Sequence, residues 1–95
     1  MREEHKMNIT VERLSEEEIE KRGIRKWPTW SSDVSRFDWH YDSTEECLIL
    51  KGRVEVETEN ETVEIKKGDF VTFPKGLSCV WDVKEPIEKH YNFRE

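Results

Sequence analysis

The residues best suited to chemistry cluster near the middle of the chain. Asp38, His40 and Asp42 recur at every second position, with Phe37, Trp39 and Tyr41 interleaved. In an extended strand this spacing puts two carboxylates and an imidazole on one face and three aromatics on the other. Such groups can move a proton or hold a cation. On alternation alone, the aromatics belong in the core and Asp38, His40 and Asp42 in water. Cys47 and Cys79 are the two thiols, too few for a disulfide scaffold. Glu45, Cys47 and Ile49 share one strand face, so Cys47 is expected to line the interior. Two inert core thiols are the favoured reading, with a redox pair or joint ligation as the alternative. Lys21, Arg22, Arg25 and Lys26 form a basic cluster that reads as a solvated face. Neither a nucleophile elbow nor a phosphate-binding glycine loop is present, since the four glycines are scattered.

Several short elements must position these groups. Residues 1–7 are polar and unpatterned and read as a tail, which leaves one domain over 8–95. A first strand runs past Ile9 and Val11. Ser15-Glu16-Glu17-Glu18 has the form of a capping box, and acidic residues fill the first turn of a short helix. Lys21 and Arg22 close that helix, and Gly23 stands where a left-handed cap is wanted. Pro28 keeps Trp27 out of the helical region, so Trp27 to Trp30 is extended or a turn. Strand signals then follow over Arg36–Asp42, Glu45–Leu50, Arg53–Thr58, Thr62–Ile65, Phe70–Phe73, Leu77–Val83 and from Pro86 to Phe93. Leu77, Cys79, Trp81 and Val83 make one apolar face. His90 is expected in solvent and His5 in the tail. Many short strands behind one helix indicate an all-β sandwich or barrel.

Composition narrows the class. The chain has 95 residues, 40% of them charged and 34% hydrophobic, with four Trp, four Phe and two Tyr but no Ala or Gln. That combination suggests a small core of bulky side chains inside a heavily charged shell. A net charge of −6 opposes phosphate backbones, so no nucleic-acid partner is expected. Apolar runs stay well short of a bilayer span, so no membrane partner is expected and a cytoplasmic location is the default.

The segment from Asp38 to Val83 resembles the two-part cupin signature. Asp38-Trp39-His40, Glu45 and, after six residues, Gly52 follow the first motif. Gly68, then Pro74-Lys75-Gly76 and Cys79, follow the second, and fifteen residues separate Gly52 from Gly68. Lys26-Trp27-Pro28, Phe37-Asp38-Trp39, Phe73-Pro74-Lys75-Gly76 and Lys89-His90-Tyr91-Asn92 are similar to the small single-domain cupins grouped with (S)-ureidoglycine aminohydrolase. The resemblance implies a single cupin jelly-roll β-barrel, one short N-terminal helix and commonly a homodimer. It also carries the signature's metal ligands onto Asp38, His40, Glu45 and Cys79. Two of those positions depart from the signature, since Asp38 and Cys79 stand where it has histidines.

Carboxylates and imidazole suit one divalent Mn, Fe, Ni or Zn ion, and a thiolate favours Zn or Fe. This reading turns Asp38 and His40 into the barrel. It leaves Phe37, Trp39 and Tyr41 outside, to be covered by the Trp27–Trp30 segment or a partner subunit. Trp30 and Trp81 are expected as pocket walls. Two functions follow: a metal-dependent enzyme acting on a small nitrogen-containing or carbonyl metabolite, or a metal-free module that binds a small molecule in the barrel mouth.

Overall fold

The computed structural model of the chain describes residues 8–94. The expected tail over residues 1–7, with His5, lies outside that range. The described residues form β1 (Thr10–Glu12), α1 (Glu16–Lys21), β2 (Thr29–Ser32), β3 (Ser35–His40), β4 (Thr44–Glu57), β5 (Thr62–Lys66), β6 (Phe70–Phe73) and β7 (Ser78–Arg94). A single 3-10 turn, Ile24–Lys26, lies between α1 and β2. The all-β expectation with one short helix holds.

Two long strands organise everything else. β4 and β7, each expected as two strands, run unbroken and pair antiparallel from Thr44↔Arg94 to Glu57↔Val80. Register shifts between Ile49 and Val54 bend the pair at a corner. Gly52 sits at that corner with φ +93°, and a Cβ there would run into the Pro86 carbonyl oxygen. Only glycine lets the backbones approach so closely. Strands on one side of the corner follow the order β1-β6-β4-β7-β2, and on the other side β5 joins β4 and β3 joins β7. The result is a two-layered roll of the jelly-roll type.

Burial follows from that bend. Cys47, Ile49, Val54, Val56, Ile65, Val71, Phe73, Trp81 and Val83 face inward and make the main core. Leu48 and Phe70 point the other way, where Ile19 of α1 and Ile24 cover them. Ser15 caps α1 by accepting from the Glu18 amide at 3.1 Å. The Glu18 carboxylate does not complete a capping box; it accepts from Arg22 Nε at 2.9 Å. Arg25 pairs with Glu16 at 2.9 Å, and the Arg22 guanidinium lies 5.5 Å from the Phe70 ring centroid. The basic cluster is therefore a paired, solvated helix face. His90 is half-buried rather than free in solvent, with Nδ1 2.9 Å from the Trp27 carbonyl oxygen.

Candidate functional site

Strand register decides which groups meet inside the roll. On β3 and β7, Phe37 pairs with Trp81 and Trp39 with Cys79, while Asp38 pairs with Val80 and His40 with Ser78. Directly paired residues share a sheet face. Phe37, Trp39 and Tyr41 therefore point inward with Cys79 and Trp81, whereas Asp38 and His40 point out. His40 Nδ1 is hydrogen-bonded to Ser78 Oγ at 2.7 Å, and its Nε2 is 3.7 Å from Asp42. This corrects the inward placement that the cupin signature implied. Turning Asp38 and His40 into the barrel would have moved Phe37 and Tyr41 into water; Tyr41 instead sits in the core at 2% exposure, while Trp39 stays 47% exposed at the rim.

The four residues expected as metal ligands are thus not brought together. Glu45 is inside, Asp38 and His40 are outside, and Cys79 is packed with the core. Among the described residues, no three His, Cys, Asp or Glu side chains are placed to hold a metal ion. The donors also fail on charge. The Glu45 carboxylate is paired with the Lys89 ammonium at 2.6 Å, and a dication at the same oxygen would be repelled by that ammonium. The residues do not fit one divalent Mn, Fe, Ni or Zn ion.

What the interior holds instead is a cavity of about 180 Å³ at the mouth of the roll. Trp30 and Trp81 line it, joined by Phe37, Trp39 and Tyr41. Tyr91 and Phe93 close the opposite side, and Glu45 and Lys89 supply its charged groups. Cys47 lies in the core and not on this wall. Lys89 pairs across the sheet with Trp30, and its Nζ lies 5.1 Å from the Trp30 ring and 4.7 Å from the Trp81 ring. Two indole faces therefore stabilise the ammonium beside its carboxylate partner. Phe37 faces this cavity and needs no outside cover; the Trp30 ring meets it edge-on at 6.3 Å.

The remaining polar atoms are neutral. Trp81 Nε1 donates to the Tyr41 hydroxyl at 3.0 Å, which leaves the phenolic proton free for another acceptor. Burial, and then the nearby Glu45 charge, hold the Tyr41 hydroxyl well above its ordinary range. Burial also pushes the Cys47 thiol up to about 12, against a partial opposing pull from Lys89. Cys79 is pushed up to about 11 by the same causes. Both thiols keep their protons at neutral pH and are poor nucleophiles. They are free cysteines, not a disulfide.

Lys89 was not singled out from the sequence, although a signal existed. Ile87, Lys89, Tyr91 and Phe93 alternate on one face of the last strand, and a lysine within an apolar face needs a buried partner.

A bent two-layered β-roll whose buried charge lies in an aromatic mouth defines a cupin-type barrel. The chain belongs to the EutQ-like cupin domain family, which it matches over residues 19–91. It is similar to the crystal structure of a DUF861-family protein from Thermotoga maritima, with 49% identity and a TM-score of 0.89. That match covers 92% of this chain and 100% of the other. The EutQ protein of Clostridium difficile shares the fold at 19% identity and TM-score 0.62, over 66% of this chain and 50% of its own. A DUF861-family protein from Pseudomonas syringae pv. tomato matches at 25% identity and TM-score 0.61, over 66% of this chain and 28% of its own. No curated protein matches the chain. Among the described residues, no helix is long and apolar enough to cross a membrane.

Proposed function

We propose that this chain binds a small, flat, carbonyl-bearing molecule in the barrel mouth, with Lys89 and Glu45 as the recognising pair and no metal ion between them. The observation that carries this reading is the buried Lys89–Glu45 ion pair set between the faces of Trp30 and Trp81. Ordered charge inside aromatic walls is costly unless it serves recognition or is fully satisfied. The ammonium has three protons, one of them engaged by Glu45 at 2.6 Å.

Size and polarity narrow the ligand class. A cavity of roughly 150 Å³ accommodates benzene, so about 180 Å³ suits one ring with one or two polar substituents. Lys89 and the Tyr41 hydroxyl offer donors, and Glu45 offers an acceptor. That array complements a carbonyl oxygen with an adjacent N–H. The pair itself carries no net charge, so a neutral ligand costs less to enclose than a carboxylate. The resemblance to the ureidoglycine aminohydrolase cupins supports the same chemistry, nitrogen beside a carbonyl.

Tryptophan fluorescence titration with benzamide, benzoate and benzylamine tests this reading. Benzamide should quench most strongly, and Lys89→Met should weaken it by at least about tenfold, the loss of one charge-assisted hydrogen bond. Equal affinity for all three, or an unchanged response in Lys89→Met, would reject it.

A further inference from the structure

We propose that Lys89 is a nucleophile, capturing the carbonyl carbon of an aldehyde or ketone in the mouth as an imine while Glu45 shuttles the protons. This rests on the binding reading above, restricted to carbonyl ligands that are aldehydes or ketones, since an amide does not condense with an amine, and adds a covalent step to it. Among the described residues Lys89 is the buried lysine; Lys21, Lys26, Lys51, Lys66, Lys67, Lys75 and Lys84 are all exposed. Lys89 lines the cavity beside Glu45, so a carbonyl group seated there lies next to its side chain.

Three features suit that chemistry. An ammonium must first give up a proton, and Glu45 Oε2 is in direct contact at 2.6 Å to accept it. The iminium that results keeps the positive charge where the ammonium had it, so the Trp30 and Trp81 faces stabilise both states. The Lys89 and Glu45 side chains are only 8% and 4% exposed, which limits the water beside the product. Lysine is the side chain that combines a titratable amine with this reach, and arginine could not replace it.

The step balances without an oxidant or reductant. The Lys89 proton passes to Glu45, and the freed lone pair forms a C–N bond as the carbonyl π pair moves to oxygen. The Tyr41 hydroxyl, whose proton is not engaged by Trp81, lies on the same wall to hydrogen-bond that oxygen. Nitrogen then releases a second proton, and the oxygen collects both protons through Glu45. The C–O bond breaks, water leaves, and the nitrogen lone pair completes C=N. The nitrogen keeps its third proton, so the product is an iminium paired with the regenerated Glu45 carboxylate.

The experiment treats the full-length protein with benzaldehyde and cyanoborohydride, then maps the alkylated lysines by peptide mass spectrometry. Tryptophan quenching by benzaldehyde is followed in parallel. Benzylation of Lys89 at least about tenfold faster than of Lys51, Lys75 or Lys84 is expected, because an aldehyde seated in the mouth is held beside this amine at a high effective concentration. Glu45→Gln should slow labelling of Lys89, because the base in contact with its amine is removed. Quenching without preferential labelling of Lys89 would overturn the imine and leave the binding reading standing. Neither quenching nor preferential labelling would overturn both. The wild-type map decides the matter even if a variant fails to fold.

Discussion

Two sets of charges sit on opposite surfaces of the same sheets and make contacts of similar length. Inside, Lys89 meets Glu45 at 2.6 Å, with side chains only 8% and 4% exposed. Outside, Arg36 bridges Glu57 at 2.9 Å and Asp82 at 3.1 Å, and Lys84 joins Asp82 at 2.9 Å. The Arg36 side chain there is 54% exposed. Hydrogen bonds from Arg36 lower the Glu57 carboxyl, and Lys84 does the same for Asp82. Geometry is alike, but solvent is not. Water and salt can replace any partner in the outer network, whereas nothing replaces Lys89 beside Glu45. The outer network tunes surface charge, and the inner pair constrains which side chains the mouth can hold.

The largest effect should come from breaking the inner pair on one side only. Lys89→Met leaves the Glu45 carboxylate buried without a counter-charge, which costs about 3–5 kcal/mol. For a domain of this length, each 1 kcal/mol lowers the melting temperature by roughly 4–8 °C. Adding Glu45→Leu should recover most of the loss, because an apolar pair of similar volume removes the stranded charge. Urea denaturation of the two variants measures this. If the double variant were no more stable than Lys89→Met, the penalty would lie in packing and not in charge.

The sequence made some of this legible and concealed the rest for identifiable reasons. Strand alternation and turn residues were enough for an all-β sandwich or barrel, and the cupin resemblance sharpened that to a jelly roll. They divided β4 and β7 because Gly52 and Pro86 resemble strand ends; in the fold these residues form a corner that the strands pass through. Motif spacing and alternation disagreed at Asp38 and His40. The backbone follows alternation, because burying Tyr41 and part of Phe37 outweighs any arrangement that buries an aspartate and a histidine. Lys89 was visible as a charge on an apolar face, but its partner was not. Glu45 lies 44 positions away, and only the register set by the corner brings the two together.

A second prediction sharpens the inside–outside contrast through pH. The Cys47 thiol is raised from its ordinary 9.0 to about 12 by burial. Below pH 9 both folded and unfolded chains keep this proton, so the contribution is whole. Between about 9 and 12 the unfolded chain releases it while the folded chain cannot, and stability falls by up to about 1.4 kcal/mol per pH unit. Cys47→Ala should flatten that slope, seen in urea midpoints collected from pH 8 to 11. An identical slope in the variant would assign alkaline loss elsewhere. The outer carboxylates act in the opposite direction. Their depressed values add stability above the ordinary carboxylate range, and it is lost as pH falls through the folded values.

The smallest effect should come from Arg36→Ala, despite its three hydrogen bonds. Its partners return to water when the guanidinium is removed, so the shift in urea midpoint should be well below that of Lys89→Met. It should also shrink as salt is added, since at about 1 M the screening length is only about 3 Å. The Lys89→Met deficit, at a pair whose side chains are only 8% and 4% exposed, should persist under the same conditions. Melting both variants across a salt series separates the two surfaces on a single axis. A salt-insensitive loss in Arg36→Ala would mean that the outer network is held by packing of the arginine stem against the sheet, and the contrast between the two surfaces would narrow accordingly.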